Sequence, residues 1–165
     1  MNEKTLKEYD NCLSIEEIVP ILRDISIFGG LSDEQLQNTC KHLKKVPYAK
    51  DEIVFREGDQ PSHIYIIKNG RIKIVKSIDE TPLEIITFEI GQCFGETSVI
   101  GIKPHAATAV AIEDAELIVL SRQALMTFFQ SDKELFSILI LNIAREACRR
   151  LYKTDEILLH YVLNK

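Results

Sequence analysis

Two short stretches near the start of the sequence carry apolar residues at helical spacing. Each opens with a serine, Ser14 or Ser32, that is followed three residues later by Glu or Gln, which is the pattern of a helix-capping box. The apolar positions are Ile15, Ile18, Val19 and Leu22 in the first stretch, and Leu36, Cys40 and Leu43 in the second. Because Pro47 cannot continue a helix, the pattern predicts N-terminal helices over about residues 14–45.

Between about residues 46 and 120 the apolar period changes to two, which is typical of strands. The alternation is visible at residues 65–67, 72–74 and 86–88, and a short apolar run follows at 117–120. Asn69-Gly70, between two apolar runs, predicts a tight hairpin because both residues tolerate a positive φ. Many short strands separated by turns predict a jelly roll or β-barrel.

After Ser121 the period becomes helical again, and we predict C-terminal helices over about residues 122–163. The longer of these carries one stripe, formed by Ile140, Ile143, Ala147, Leu151, Thr154, Leu158 and Tyr161. The expected fold is therefore mainly β with flanking helices. Its length is that of one domain spanning residues 1–165.

Composition and charge exclude several classes of protein. The sequence is 45% hydrophobic and 27% charged, as expected of a chain that folds around a core. Its net charge of −5 argues against nucleic-acid binding, which needs a basic face. The first residues are polar and mixed in charge, so we expect no secretory signal and a cytoplasmic protein. The longest apolar stretches are far shorter than the roughly 20 residues that span a bilayer.

The cysteines and histidines form no recognisable catalytic or metal-binding pattern. The cysteines are Cys12, Cys40, Cys93 and Cys148, and the histidines are His42, His63, His105 and His160. No CxxC spacing occurs, so we expect buried free thiols. We expect neither a catalytic site nor a metal site.

The most informative stretch covers residues 94–111. It offers Gly95 for close backbone approach, the carboxylate of Glu96, and the small polar residues Thr97 and Ser98 at the start of a short helical turn. A helix start leaves N–H groups free for an anion. From the residues alone, an anion site and an ordinary strand-loop-strand segment both remain open.

This stretch resembles the phosphate-binding cassette of the cyclic nucleotide-binding domains, as in the protein kinase A regulatory subunit and the catabolite activator protein. The family pattern reads FGE, a helical turn and then PRAAT, and the spacing from Phe94 to Ala106-Ala107-Thr108 is the same here. Similar family positions occur at residues 27–32, 58–74 and 120–122, so the resemblance covers roughly residues 20–150. It implies a double-stranded β-helix (jelly-roll) barrel and a cyclic nucleotide, cAMP or cGMP, as ligand.

The resemblance also implies roles for individual residues. Glu96 matches the carboxylate that accepts a hydrogen bond from the ribose 2′-hydroxyl. Gly95 precedes it in the cassette, and Thr97, Ser98 and Ala106 fall where backbone N–H groups point at the cyclic phosphate.

His105 stands where the family has an arginine that binds the phosphate. Imidazole lacks the rigid fork and permanent charge of a guanidinium, so we expect binding to be weaker by roughly 10- to 150-fold. If His105 contacts the phosphate, affinity should rise as the pH falls toward about 6. Lys103 offers a second source of charge, although a solvated lysine is the simpler interpretation.

The resemblance implies that the helix after the barrel passes a signal to a partner protein. We expect a homodimer in which the stripe pairs with its copy through Ile143, Ala147, Leu151 and Leu158, although the first half of the stripe fits equally well against the barrel. We interpret Arg145, Arg149 and Arg150 as a solvated face, with Arg149 or Tyr152 as candidates to cover the pocket. Two functions remain open, a stand-alone sensor with weak or atypical cAMP or cGMP binding and a ligand-free interaction or dimerisation module.

Overall fold

A computed structural model describes residues 14–78 and 81–163; the first residues and Cys12 lie outside this range. The helices are α1 (Ile15–Arg23), α2 (Asp33–Cys40), α3 (Glu96–Gly101), α4 (Arg122–Ser131) and α5 (Lys133–Leu163), with a 3-10 turn at Ser26–Phe28. The strands are β1 (Leu43–Tyr48), β2 (Ile53–Phe55), β3 (His63–Asn69), β4 (Ile72–Ile78), β5 (Thr81–Phe88), β6 (Cys93–Phe94), β7 (Thr108–Ala111) and β8 (Ala115–Ser121).

The described strands form two four-stranded antiparallel sheets. One sheet has the order β1-β8-β3-β6, which we call the central sheet, and the other has the order β2-β7-β4-β5. Apart from the β4–β5 hairpin, strands that follow one another in the chain alternate between the sheets, as in a jelly roll. The predicted fold class is therefore confirmed.

The central sheet is buried on both faces. In β3, Ile64 and Ile66 pack into a core shared with the helices, whereas Tyr65 and Ile67 point into the core between the two sheets. Strand β8 alternates in the same way, with Ile118 and Leu120 on the helical side. Because both faces are buried, the sequences of the central-sheet strands are continuous apolar runs and do not alternate strictly between apolar and polar residues.

The helices lie over the outer face of the central sheet. The predicted caps are present, because the side chains of Ser14 and Ser32 accept hydrogen bonds from the backbone N–H groups of Glu17 and Gln35. Helix α4 is capped by Ser121 in the same manner. No helix in residues 14–78 and 81–163 is long and apolar enough to cross a membrane.

The second N-terminal helix is shorter than the sequence suggests. Helix α2 ends at Cys40, and Leu43 already belongs to β1, where it pairs with Leu120. The prediction of helix to about residue 45 is therefore wrong. Pro47 lies in β1, an edge strand of the central sheet, where a missing N–H is tolerated.

The predicted hairpin at Asn69-Gly70 is also wrong. Strands β3 and β4, which flank it, belong to different sheets, and β4 instead forms a hairpin with β5. The turn therefore carries the chain from one sheet to the other. Gly70 has a φ of 80°, and a Cβ there would lie 2.7 Å from the carbonyl oxygen of Asp114 and 2.8 Å from Cα of Ala115.

Helix α5 is buried along its first part only. Its buried residues are Leu135, Leu139, Asn142 and Ile143. In the predicted stripe Ile143 is buried, Ile140 and Ala147 are half-buried, and Leu151, Thr154, Leu158 and Tyr161 are exposed. The stripe is therefore not one buried face, and the helix leaves its helical neighbours near Ala147.

We predict that Gly70→Ala destabilises the fold by about 2–5 kcal/mol, because left-handed backbone strain adds to a clash with backbone atoms. Gly91→Ala is the matched control, since Gly91 has a φ of 82° but no atom within 4 Å of the added Cβ. We expect the control to lose only about 1–2 kcal/mol. Urea unfolding gives both values, and equal losses would show that the close approach at residue 70 is not constrained.

Candidate functional site

A cavity of about 240 Å³ opens between the second sheet and the segment that follows β6. Its walls are formed by Phe55, Ile74, Ile86, Phe88, Phe94, Gly95, Glu96, Thr97, Ser98, His105, Ala106, Ala107, Ala147 and Arg150. All six residues that the sequence singled out therefore line one cavity.

Gly95 makes the turn between β6 and α3. Its φ is 81°, and a Cβ there would lie 3.1 Å from the Tyr65 ring and 3.2 Å from the carbonyl oxygen of His63. Glycine thus allows α3 to begin directly against β3. Thr97 and Ser98 lie in the first turn of α3, where backbone N–H groups have no acceptor within the helix.

His105 forms part of the cavity wall and is 4% exposed. Its backbone is held by Gly58 and Asp59, since its N–H donates to the carbonyl of Asp59 at 2.9 Å and its carbonyl accepts from Gly58 at 2.8 Å. The imidazole stacks on Phe55 with the ring centres 3.6 Å apart and the planes within 9°. The exposed side chain of Lys103 is not among the residues that line the cavity.

Glu96 is a buried carboxylate and not a solvated loop side chain. It is 1% exposed, and its Oε1 accepts a hydrogen bond from Arg150 Nη1 at 2.6 Å. Its Oε2 is buried and has no hydrogen-bond partner among the described residues. Burial raises the pKa of the Glu96 carboxyl above its ordinary value, and the nearby charge of Arg150 partly opposes this rise. An unpaired buried acceptor in a cavity wall is suited to a ligand that donates a hydrogen bond.

Arg150 closes one side of the cavity, a role that the sequence did not reveal. Its guanidinium also donates to the carbonyl oxygen of Cys93 and lies 4.7 Å from the centre of the Phe88 ring. The prediction that Arg150 belongs to a solvated face is therefore wrong. The suggested covers do not line the cavity, because Arg149 pairs with Glu146 at the surface and Tyr152 is 72% exposed.

The helical period does contain a signal for Arg150. The buried residues Leu139 and Ile143 are followed at helical spacing, first four and then three residues on, by Ala147 and Arg150. These positions lie on one face of α5. A charge that continues a buried stripe marks a place where the helix meets a polar partner rather than solvent.

The described cysteines differ in exposure. Cys40 and Cys93 are buried, and burial raises the pKa of the Cys93 thiol to about 12. Cys148 is exposed, so the prediction of buried thiols does not hold for it. Within the described part of the chain, no group of three or more potential ligands lies close enough to hold a metal ion.

The cavity, the glycine turn, the short helix and the return strand β7 together have the layout of a nucleotide-binding cassette. The family model described as "Cyclic nucleotide-binding domain" matches residues 45–132, which is more than half of the chain. The chain belongs to the cyclic nucleotide-binding domain family.

Comparison with individual proteins agrees with this assignment. This cyclic nucleotide-binding domain is 24% identical over 130 residues to the cyclic AMP receptor protein of Thermus thermophilus, covering 78% of this chain but 58% of the receptor's own length. A solved cyclic nucleotide-binding domain from Methylobacillus flagellatus superposes with a TM-score of 0.79 at 25% identity, covering 89% of this chain and 83% of that one.

A third similarity concerns the fold alone. The regulatory subunit of a cAMP-independent protein kinase A from Trypanosoma cruzi, solved bound to guanosine, superposes with a TM-score of 0.72 at 19% identity. The match covers 89% of this chain and 50% of the trypanosome chain.

The Glu96–Arg150 pair predicts a pH-dependent loss of stability in Arg150→Gln. Without the guanidinium, burial raises the pKa of Glu96 further. When the pKa of a carboxyl is higher in the folded chain than in the unfolded chain, its protonation stabilises the fold at low pH. This contribution is lost as the pH rises through the pKa of the folded chain. We expect Arg150→Gln to lose little unfolding free energy near pH 4.5, the ordinary pKa of a glutamate carboxyl. The loss should grow to about 3 kcal/mol at neutral pH.

The matched control is Arg149→Gln, whose side chain is 62% exposed. We expect it to lose less than about 1 kcal/mol at every pH. Urea unfolding between about pH 4.5 and 8 measures both variants, a range that spans the ordinary carboxyl pKa and neutral pH. A loss in Arg150→Gln that does not change with pH would contradict a buried ion pair at Glu96.

Proposed function

We propose that this chain is a non-catalytic regulatory domain that binds a cyclic nucleotide, cAMP or cGMP, weakly in the cassette cavity. The observation that supports it is that Gly95, Glu96, Thr97, Ser98, His105 and Ala106 line one cavity. The weakness follows from His105, because an imidazole stacked on Phe55 cannot supply the two-pronged, permanently charged contact of a guanidinium.

The proposed contacts follow from the geometry of the wall. The unpaired Oε2 of Glu96 would accept a hydrogen bond from the ribose 2′-hydroxyl. The backbone N–H groups of Thr97, Ser98 and Ala106 would face the phosphate. Because Arg150 holds the same carboxylate from α5, ligand binding at Glu96 would be coupled to the position of that helix.

The proposed output is through a protein partner that recognises α5. With a net charge of −5, the domain is not expected to use DNA or a membrane surface, and we place it in the cytoplasm. The exposed part of α5 carries Leu151, Tyr152, Ile157, Leu158, Leu159, Tyr161, Val162 and Leu163. We include a homodimer through this exposed part of α5 in the proposal.

His105→Arg tests the proposed ligand site. Restoring a charge-assisted contact should raise the affinity for cAMP or cGMP by roughly 10- to 150-fold, as measured by calorimetric titration at neutral pH. His105→Gln is the matched control, because it also removes the ring but adds no charge, and it should show no gain.

The comparison of the two variants decides between the open functions. If the arginine variant binds cAMP or cGMP and the wild type does not, the wild-type cavity is intact but does not bind a cyclic nucleotide. The alternative of an interaction or dimerisation module is then favoured. If neither protein binds, the cyclic nucleotide proposal is wrong.

Leu158→Glu tests the homodimer. A charge in place of an apolar side chain that is 60% exposed in one chain should weaken self-association by at least about tenfold. Lys153→Glu, off the apolar stripe, is the control and should leave association unchanged. Analytical ultracentrifugation measures both, and a wild type that stays monomeric at high concentration would exclude the dimer.

A further inference from the structure

We propose that the cavity prefers an uncharged purine nucleoside to the corresponding cyclic nucleotide. This inference rests on the proposed function, in that both use the cassette cavity and a ribose hydroxyl at Glu96. The inference differs from the proposed function in that the preferred ligand carries no charge. The preference follows from the charge balance of the cavity, whereas the unpaired acceptor of Glu96 and the aromatic wall suit the sugar and base that both ligands share.

The cavity offers no net positive charge to a phosphate. Among the residues that line it, Glu96 and Arg150 carry full charges, and they are paired with each other at 2.6 Å. His105 carries no permanent charge. A phosphate buried there would lose its hydration without gaining a counter-charge, whereas an uncharged ligand avoids that loss.

Lys76 does not supply the missing charge from the cavity wall. Its Nζ donates to the carbonyl oxygen of Ala106 at 3.0 Å and lies 3.3 Å from Glu57 Oε1. It is not among the residues that line the cavity. Its charge is therefore shared with the carboxylate of Glu57.

The buried side-chain atom that awaits a partner is an acceptor. The Oε2 atom of Glu96 is buried without a hydrogen-bond partner among the described residues, so it favours a ligand that donates a hydrogen bond. A sugar hydroxyl meets this requirement. A cyclic nucleotide carries the same 2′-hydroxyl, but its phosphate adds only acceptors and a negative charge.

The remaining wall suits a flat heteroaromatic base. The His105 ring stacks on Phe55, and Phe88 and Phe94 stack on each other with their ring centres 5.7 Å apart. Ile74 and Ile86 complete the apolar surface. Aromatic and aliphatic walls with few polar groups are typical of pockets that bind small planar ligands. Base and sugar can therefore both be bound without the phosphate.

The test is calorimetric titration of the wild-type chain with adenosine, guanosine, cAMP and cGMP at low and high ionic strength. We expect each nucleoside to bind at least about tenfold more tightly than its cyclic phosphate. Nucleoside affinity should not change with salt, because no ligand charge is involved. In His105→Arg the preference should reverse, because the affinity for the cyclic nucleotides rises while the affinity for the nucleosides stays the same.

A ligand-side control leaves the protein unchanged. Nucleosides that lack both ribose hydroxyls should bind at least about tenfold more weakly, since the buried acceptor of Glu96 then stays unpaired. Equal binding of the dideoxy and ribose forms would overturn the assigned role of Glu96 and with it the inference.

The other outcomes separate this inference from the proposed function. Tighter binding of cAMP or cGMP than of any nucleoside overturns the preference and supports the proposed function. Nucleoside binding without cyclic nucleotide binding supports the preference and overturns the proposed ligand. If His105→Arg binds cyclic nucleotides while the wild type binds none of the four ligands, the preference is overturned and the wild-type cavity is intact but does not bind. If no ligand binds to either protein, both proposals are wrong.

Discussion

The burial of the central sheet on both faces is the constraint on which the rest of the structure depends. Neighbouring residues of its strands belong to different cores, so Ile64 packs with the helices while Tyr65 packs between the sheets. The edge strand β6 does the same, with Cys93 on the helical side and Phe94 on the inner side. The cassette begins at Phe94, the last residue of β6, and therefore lies at the boundary between the two cores.

This position connects the cavity with the helices. Val99 of α3 packs in the helical core, while Glu96, three residues earlier, lines the cavity. Helix α5 leaves the same core after Ile143 and reaches the cassette at Arg150. A ligand that contacts Glu96 therefore meets a carboxylate already bound by α5. Any change at that carboxylate alters the environment of Arg150, because a buried charge and its partner cannot be separated without a large loss of free energy.

The sequence predicts features that depend on local pattern and misses those that depend on distant partners. Apolar period and serine caps locate most of the helices and strands, and the six residues that the family resemblance implies line one cavity. The sheet to which a strand belongs is decided by long-range pairing, so Asn69-Gly70 has the local chemistry of a hairpin but crosses between sheets. Leu43 likewise joins a strand because Leu120 lies opposite it. The role of Arg150 depends on a carboxylate 54 positions away in the sequence.

In the proposals above, the histidine at position 105 affects what the cavity binds, whereas the fold does not depend on its side chain. The cassette is held by its backbone, through the left-handed turn at Gly95 and the hydrogen bonds that join residue 105 to Gly58 and Asp59. None of these contacts requires an arginine side chain. What an arginine would add is a positive charge in a cavity whose carboxylate is otherwise balanced by Arg150 alone. Without that charge, the preference that we propose follows, because the cavity still has an acceptor for a hydroxyl and an aromatic wall for a base but no counter-charge for a phosphate.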